Sequence, residues 1–225
     1  MSPIDSDPIP SPTPETRGLA LVTGGAQRIG RAIALTLAGL GYAIALHYFR
    51  SKKAAVETGA ALREVGARVE LLCADLRDPA EIEGLFATID ALQLPLRVLV
   101  NSAGVMPRRK LEDLSVTDWD ETLALNLRAP LLCAQAAARR MEEGGVIVNL
   151  TDSGARKVWT GYPAYVVSKS ALETLTRLQA RSLAPRIRVN AVAPGLVMPG
   201  PDTSLAEWER LIGRVPLARP GMAEE

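Results

Sequence analysis

Tyr165 and Lys169 stand four residues apart in Tyr165-Val166-Val167-Ser168-Lys169. On a helix that spacing puts both on one face. An ammonium near a phenol favours the phenolate and lowers its pKa, bringing the phenol closer to useful acid/base range near neutral pH. The same spacing also arises where an exposed lysine lies beside a packed tyrosine. Asp152 precedes Tyr165 by thirteen residues, in Asn149-Leu150-Thr151-Asp152-Ser153. A carboxyl there can donate or relay a proton, or it can make a local turn.

A second group of residues could bind a diphosphate. Thr23-Gly24-Gly25-Ala26-Gln27-Arg28-Ile29-Gly30 follows an apolar run and precedes a helical pattern. Glycines let backbone approach an anion, and a helix start offers free N–H groups. It is not a strict G-x-G-x-x-G, and a glycine-rich turn suits any α/β fold. After the second apolar run comes His47-Tyr48-Phe49-Arg50-Ser51-Lys52. A site for NAD places a carboxylate here, whereas one for NADP places cations and hydroxyls around the 2′-phosphate. No acid is present, and Arg50 suits bidentate phosphate binding, with Arg28 able to join it. Alternatively, Arg50, Lys52 and Lys53 are a solvated helix start. Asp75, in Cys73-Ala74-Asp75-Leu76, either accepts from an adenine amino group or caps the next helix.

These residues need strands and helices in alternation. Strands are predicted at Leu19–Val22, Ala43–Tyr48, Arg68–Cys73, Val98–Val100, Val146–Leu150 and Ile187–Val192. Helices are predicted at Ile29–Leu40, from a Ser51 cap to about Val65, from Asp78-Pro79, over Thr117–Arg140 as one long helix, over Pro163–Leu183 and near Trp208–Ile212. The alternation predicts a doubly wound α/β fold with a parallel sheet and ligands at the strands' carboxyl ends.

Composition narrows the function. Lys plus Arg total 26 and Asp plus Glu 25, a balance that argues against nucleic-acid binding. His47 is the single histidine, and Cys73 and Cys133 are the two cysteines, so no four-ligand His/Cys zinc site can form. Both cysteines read as core thiols of a reducing compartment, which implies a cytoplasmic protein. No run of 18 apolar residues suggests a membrane span. Residues 1–16, with prolines at 3, 8, 10, 12 and 14, read as a disordered tail ahead of one domain, 17–225.

Over residues 17–225 the chain resembles the short-chain dehydrogenase/reductases. The residues that carry the likeness are the Thr23–Gly30 loop, Asn101-Ser102-Ala103-Gly104, Asn126, Tyr165 with Lys169, and Arg188-Val189-Asn190-Ala191-Val192-Ala193-Pro194-Gly195. The resemblance implies a single Rossmann domain, a homodimer or homotetramer, that transfers hydride between a nicotinamide cofactor and a small-molecule substrate. It implies Tyr165 as proton donor, Lys169 on the nicotinamide ribose and Asn126 supporting a water-linked relay. The cofactor site it implies comprises Gly24, Arg28, Ile29, Gly30, His47, Tyr48, Arg50, Ser51, Asp75, Leu76, Asn101, Ala103, Gly104, Tyr165, Lys169, Pro194, Gly195 and Val197.

Three departures are similar to pteridine reductases: Arg28 in place of a glycine, the His47–Ser51 stretch, and Asp152 where most members have serine. They imply NADPH and a pterin-like substrate held by Met106, Asp152 and Tyr165, although Met106 replaces an aromatic. A general carbonyl or 3-oxoacyl reductase is the competing enzyme reading. A catalytically silent NADP-binding protein is a third. The sequence stops where the family continues into a helix and a seventh strand. The expectation is therefore an incomplete chain with Ile187–Val192 at an open edge, or an edge covered by a partner subunit.

Overall fold

A computed structural model describes residues 16–142, 144–200 and 203–225. Most of the expected tail, residues 1–15, lies outside the described residues. Thr16 belongs to the domain, since its hydroxyl donates to the Gly18 and Gly41 carbonyls.

Among the described residues, six strands form one parallel sheet: β1 Leu19–Thr23, β2 Ala43–Tyr48, β3 Val69–Cys73, β4 Leu96–Asn101, β5 Gly145–Leu150 and β6 Ile187–Val192. Their spatial order is β3-β2-β1-β4-β5-β6, so the direction of winding reverses between β1 and β4. That reversal opens a crevice at the strands' carboxyl ends. Seven helices accompany the described strands: α1 Arg28–Gly39, α2 Lys52–Glu64, α3 Pro79–Ala91, α4 Val116–Leu123, α5 Ala129–Ala138, α6 Pro163–Leu183 and α7 Leu205–Ile212.

Strand side chains alternate between two cores. Leu19, Leu21 and Leu99 join Phe86, Ile89 and Cys133 on one face. Ala20, Val22, Ile44 and Leu46 join Ala34 and Leu62 on the other. Both faces are covered, which is why β1 reads as an uninterrupted apolar run and is buried throughout.

Three expectations need correction. The helix predicted over Thr117–Arg140 is not one regular α-helix. It is α4, a π-helical turn at Ala124–Arg128, and α5. Pro130 has no N–H for the carbonyl of Asn126, four residues back, so a regular ladder cannot run through this turn. Only Cys133 is a core thiol, with burial pushing its pKa up to about 12. Cys73 is exposed because β3 is an outer strand with a single neighbour. Finally, Ser51 stands at the N-cap of α2 but its side chain makes no capping hydrogen bond.

Candidate active site

The crevice is a cleft of about 590 Å³. One wall is the glycine loop. Gly24 has φ +62, and a Cβ there would lie 2.8 Å from Ala103 Cα. Only glycine lets this loop sit against the chain leaving β4. Thr23 Oγ1 tightens the junction by accepting from the Ser102 and Ala103 amides at 3.0 and 3.1 Å. His47 supports the loop from beneath. Its Nδ1 accepts from Gly24 N–H at 3.1 Å, and Nε2 donates to the Ala74 carbonyl at 3.0 Å. Burial pushes this imidazole below its ordinary range and keeps it in that neutral form.

One end of the cleft gathers Tyr48, Phe49, Arg50, Ser51, Asp75, Leu76 and Arg77. Asp75 does not cap α3. Asp78 does, accepting from Ala80 N–H at 2.8 Å. The Asp75 carboxylate instead takes Arg77, whose guanidinium holds it well below the usual carboxylate range. Arg28 is committed to the opposite wall, donating to the carbonyls of Pro199 at 2.9 Å and Met198 at 3.2 Å. It lines the cleft, but its guanidinium is a strap across the mouth rather than a free partner for Arg50.

At the other end lie Gly104, Met106, Asp152, Tyr165, Lys169, Pro194, Gly195 and Val197. Tyr165 Oη donates to Asp152 Oδ2 at 2.6 Å, while Asp152 Oδ1 accepts from Gly154 N–H at 2.5 Å. Burial and the Asp152 charge push the phenol above its ordinary range. This reverses the expected effect of Lys169. The ammonium donates to the Leu150 carbonyl at 2.6 Å and lies 5.9 Å from the phenol ring centre, too far to outweigh the carboxylate. Burial brings Lys169 itself down to about 8.

Two expected residues do not face the cleft. Asn101 turns behind the sheet and donates to Asn149 Oδ1 at 2.8 Å, and Asn149 continues to Thr176 and Gln179 on α6. Two residues past Leu99 on β4, the Asn101 side chain takes the same buried sheet face as that core leucine. Asn126 is fully buried; it accepts from Val105 N–H and donates to the Val105 carbonyl and Ser168 Oγ. It ties the loop after β4 to α6, the helix of Tyr165 and Lys169.

Residues 24–225 match the family described as enoyl-(acyl carrier protein) reductase. The uncharacterized oxidoreductase YgfF of Escherichia coli is 36% identical over 218 residues, covering 92% of this chain and 88% of that protein. The chain belongs to the short-chain dehydrogenase/reductase family. It is also similar to a chloroplastic NADPH-dependent aldehyde reductase-like protein of Arabidopsis thaliana, at 34% identity over 95% of this chain and 86% of that protein. The solved structure of FolM alternative dihydrofolate reductase 1 from Brucella canis, complexed with NADP, superposes with a TM-score of 0.87. The two are 32% identical over 93% of this chain and 84% of that one.

Within this short-chain dehydrogenase/reductase, sequence reasoning passed over Phe49 and Arg77. Phe49 lines the cleft within a stretch whose sequence signal is its basic residues. Arg77 lies two residues past Asp75, and no spacing rule ties it to a strand end. An arginine at i+2 from a loop aspartate was the available signal.

Proposed function

We propose that this oxidoreductase is an NADPH-dependent reductase of pterin-like ring C=N bonds, with Tyr165 as proton donor. The observation that carries the reading is the 2.6 Å hydrogen bond from Tyr165 to Asp152. A nicotinamide cofactor, when bound, supplies hydride to carbon. The chain's own task is to deliver a proton to the neighbouring nitrogen. Tyr165 is held protonated until a more basic atom arrives, and Asp152 stands beside it to relay the next proton. Lys169, charged below about pH 8, suits a hydroxyl-rich ribose and presses close to Gly104.

The residues present fit the phosphorylated cofactor. Arg50 and the uncommitted hydroxyl of Ser51 stand at the start of α2, and no acidic residue occupies that helix's first turn. Cations with free helix N–H groups suit a 2′-phosphate better than two ribose hydroxyls. The likeness to an NADP-bound dihydrofolate reductase supports both halves of the reading. A cytoplasmic setting agrees with the two unpaired cysteines.

Carbonyl reduction is the second reading, favoured by Met106. It lines the cleft and is 40% exposed, giving a flexible thioether rather than a flat stacking surface. Single-turnover NADPH oxidation with dihydrobiopterin, dihydrofolate and an acetoacetyl thioester separates the two. The pterin substrates should react, and Asp152→Ser should slow them about 100-fold, the scale of one general acid–base contribution, while sparing ketones. A protein that reduces ketones well and no pterin overturns the pterin reading.

A further inference from the structure

Among the described residues, three carboxylates line the cleft: Asp75, Glu121 and Asp152. Asp152 is at the substrate end. The other two are near the adenosine end, where a doubly charged 2′-phosphate would have to settle. Arg77 holds both. Its Nε and Nη2 grip Asp75 at 2.6 to 3.1 Å, and its Nη1 lies 3.3 Å from Glu121. Its own carbonyl is fixed by Arg128 Nη2 at 2.6 Å, so the backbone presenting it is anchored to the π-helical turn.

Arg50 is arranged differently. Its guanidinium lies 5.2 Å from the centre of the Phe49 ring and has no ion pair among the described residues. Arg77 lies 5.7 Å from the same ring, so the two cations share one aromatic. Asp75 is close enough for its charge to act on Arg50 as well as on Arg77. Without Arg77, Asp75 would be an unpaired anion whose nearest cation is the one the phosphate needs.

We propose that Arg77 is a specificity-determining residue for the phosphorylated cofactor: by occupying Asp75 and Glu121, it leaves Arg50 free for the 2′-phosphate. The inference rests on the NADPH reading above and adds the residue that makes it electrostatically possible. Arg77 need not touch the phosphate. It acts by cancelling charge that would repel the phosphate and compete for Arg50.

The test is direct binding of NADPH and NADH to the purified chain by calorimetry, for the wild type, Arg77→Ala and the Asp75→Asn/Arg77→Ala double variant. Arg77→Ala should weaken NADPH about tenfold relative to NADH, the scale of one unit charge acting across several ångströms of partly solvated protein. The double variant removes the liberated charge that acts on Arg50, leaving only the largely exposed Glu121, and should restore most of the NADPH preference. A merely structural role for Arg77 predicts no such rescue, because the second substitution does not rebuild the loop. An Arg77→Ala variant with unchanged preference, or a double variant no better than the single, overturns the proposal while leaving NADPH dependence intact. A wild type that binds NADH as tightly as NADPH overturns both.

Discussion

Burial, together with a hydrogen bond that ends on the Asp152 carboxylate, keeps the Tyr165 phenol protonated. The cationic neighbour is placed for a different purpose. Lys169 is buried, with its Nζ donating to the Leu150 carbonyl. Its folded-state pKa of about 8 lies below the ordinary 10.5, so folding is penalised while the lysine must carry charge. That penalty is complete below pH 8 and fades as pH rises toward 10.5, the unfolded value. Lys169→Met should therefore stabilise the fold at pH 7 by roughly 1–2 kcal/mol, the desolvation gain less the lost hydrogen bond to Leu150. Urea unfolding should show this advantage shrinking between pH 8 and 10.5. An advantage that stays constant with pH would mean that Lys169 titrates alike in the folded and the unfolded protein. The variant should lose turnover, a local cost in stability that function imposes.

At the level of elements, the glycine loop and α1 fit together through backbone contact. A Cβ on Gly30 would lie 2.3 Å from the Gly24 carbonyl oxygen and 3.1 Å from Gly25 Cα. Neither neighbour is a flexible side-chain end, so the loop itself would have to move. Gly30→Ala should cost about 1–3 kcal/mol in denaturant unfolding, the usual range for overpacking. It should also weaken cofactor binding measured by fluorescence, because the displaced N–H groups are those that would face the diphosphate. Normal stability with normal affinity would show that the loop relaxes without consequence. Similar logic applies to α4 and α5. Helical periodicity continues across Ala124–Arg128, so the sequence pattern predicts one helix, yet the backbone bulges there. Pro130 was the visible warning, and Asn126 lies inside the bulged turn.

At the scale of the whole molecule, one groove has an apolar floor flanked by the charged side chains of Arg77, Asp120, Glu121 and Arg128. Leu123, Leu127 and Leu131 meet Ala171 and Leu175 in a shallow groove between the α4–α5 segment and α6. Val167 and Leu178, also on α6, are exposed at 44% and 59%. A two-fold pairing of these helices would bury the groove twice and brace the helix that carries Tyr165 and Lys169. Light scattering at micromolar concentration should find at least a dimer, and Leu131→Arg should shift it toward monomer with reduced activity. Each buried leucine is worth about 1.5–3 kcal/mol, and symmetry counts it twice. A stable, fully active wild-type monomer would refute this assembly.

Much of this was legible in the chain because strand and helix periodicity, glycine turns and caps are local properties. The strands β1, β2, β5 and β6, the helix α6 and the Tyr165–Lys169 face follow from short stretches read alone. So does the absence of any acid between His47 and Lys53. Partnerships between distant segments were decided by tertiary structure. Arg28 reaches carbonyls 170 and 171 residues away, Asn101 turns inward to Asn149, and burial with Asp152, rather than Lys169, sets the state of the Tyr165 phenol. Hydrogen bonds and charges act through a few ångströms of space, and only the folded sheet brings those groups that close.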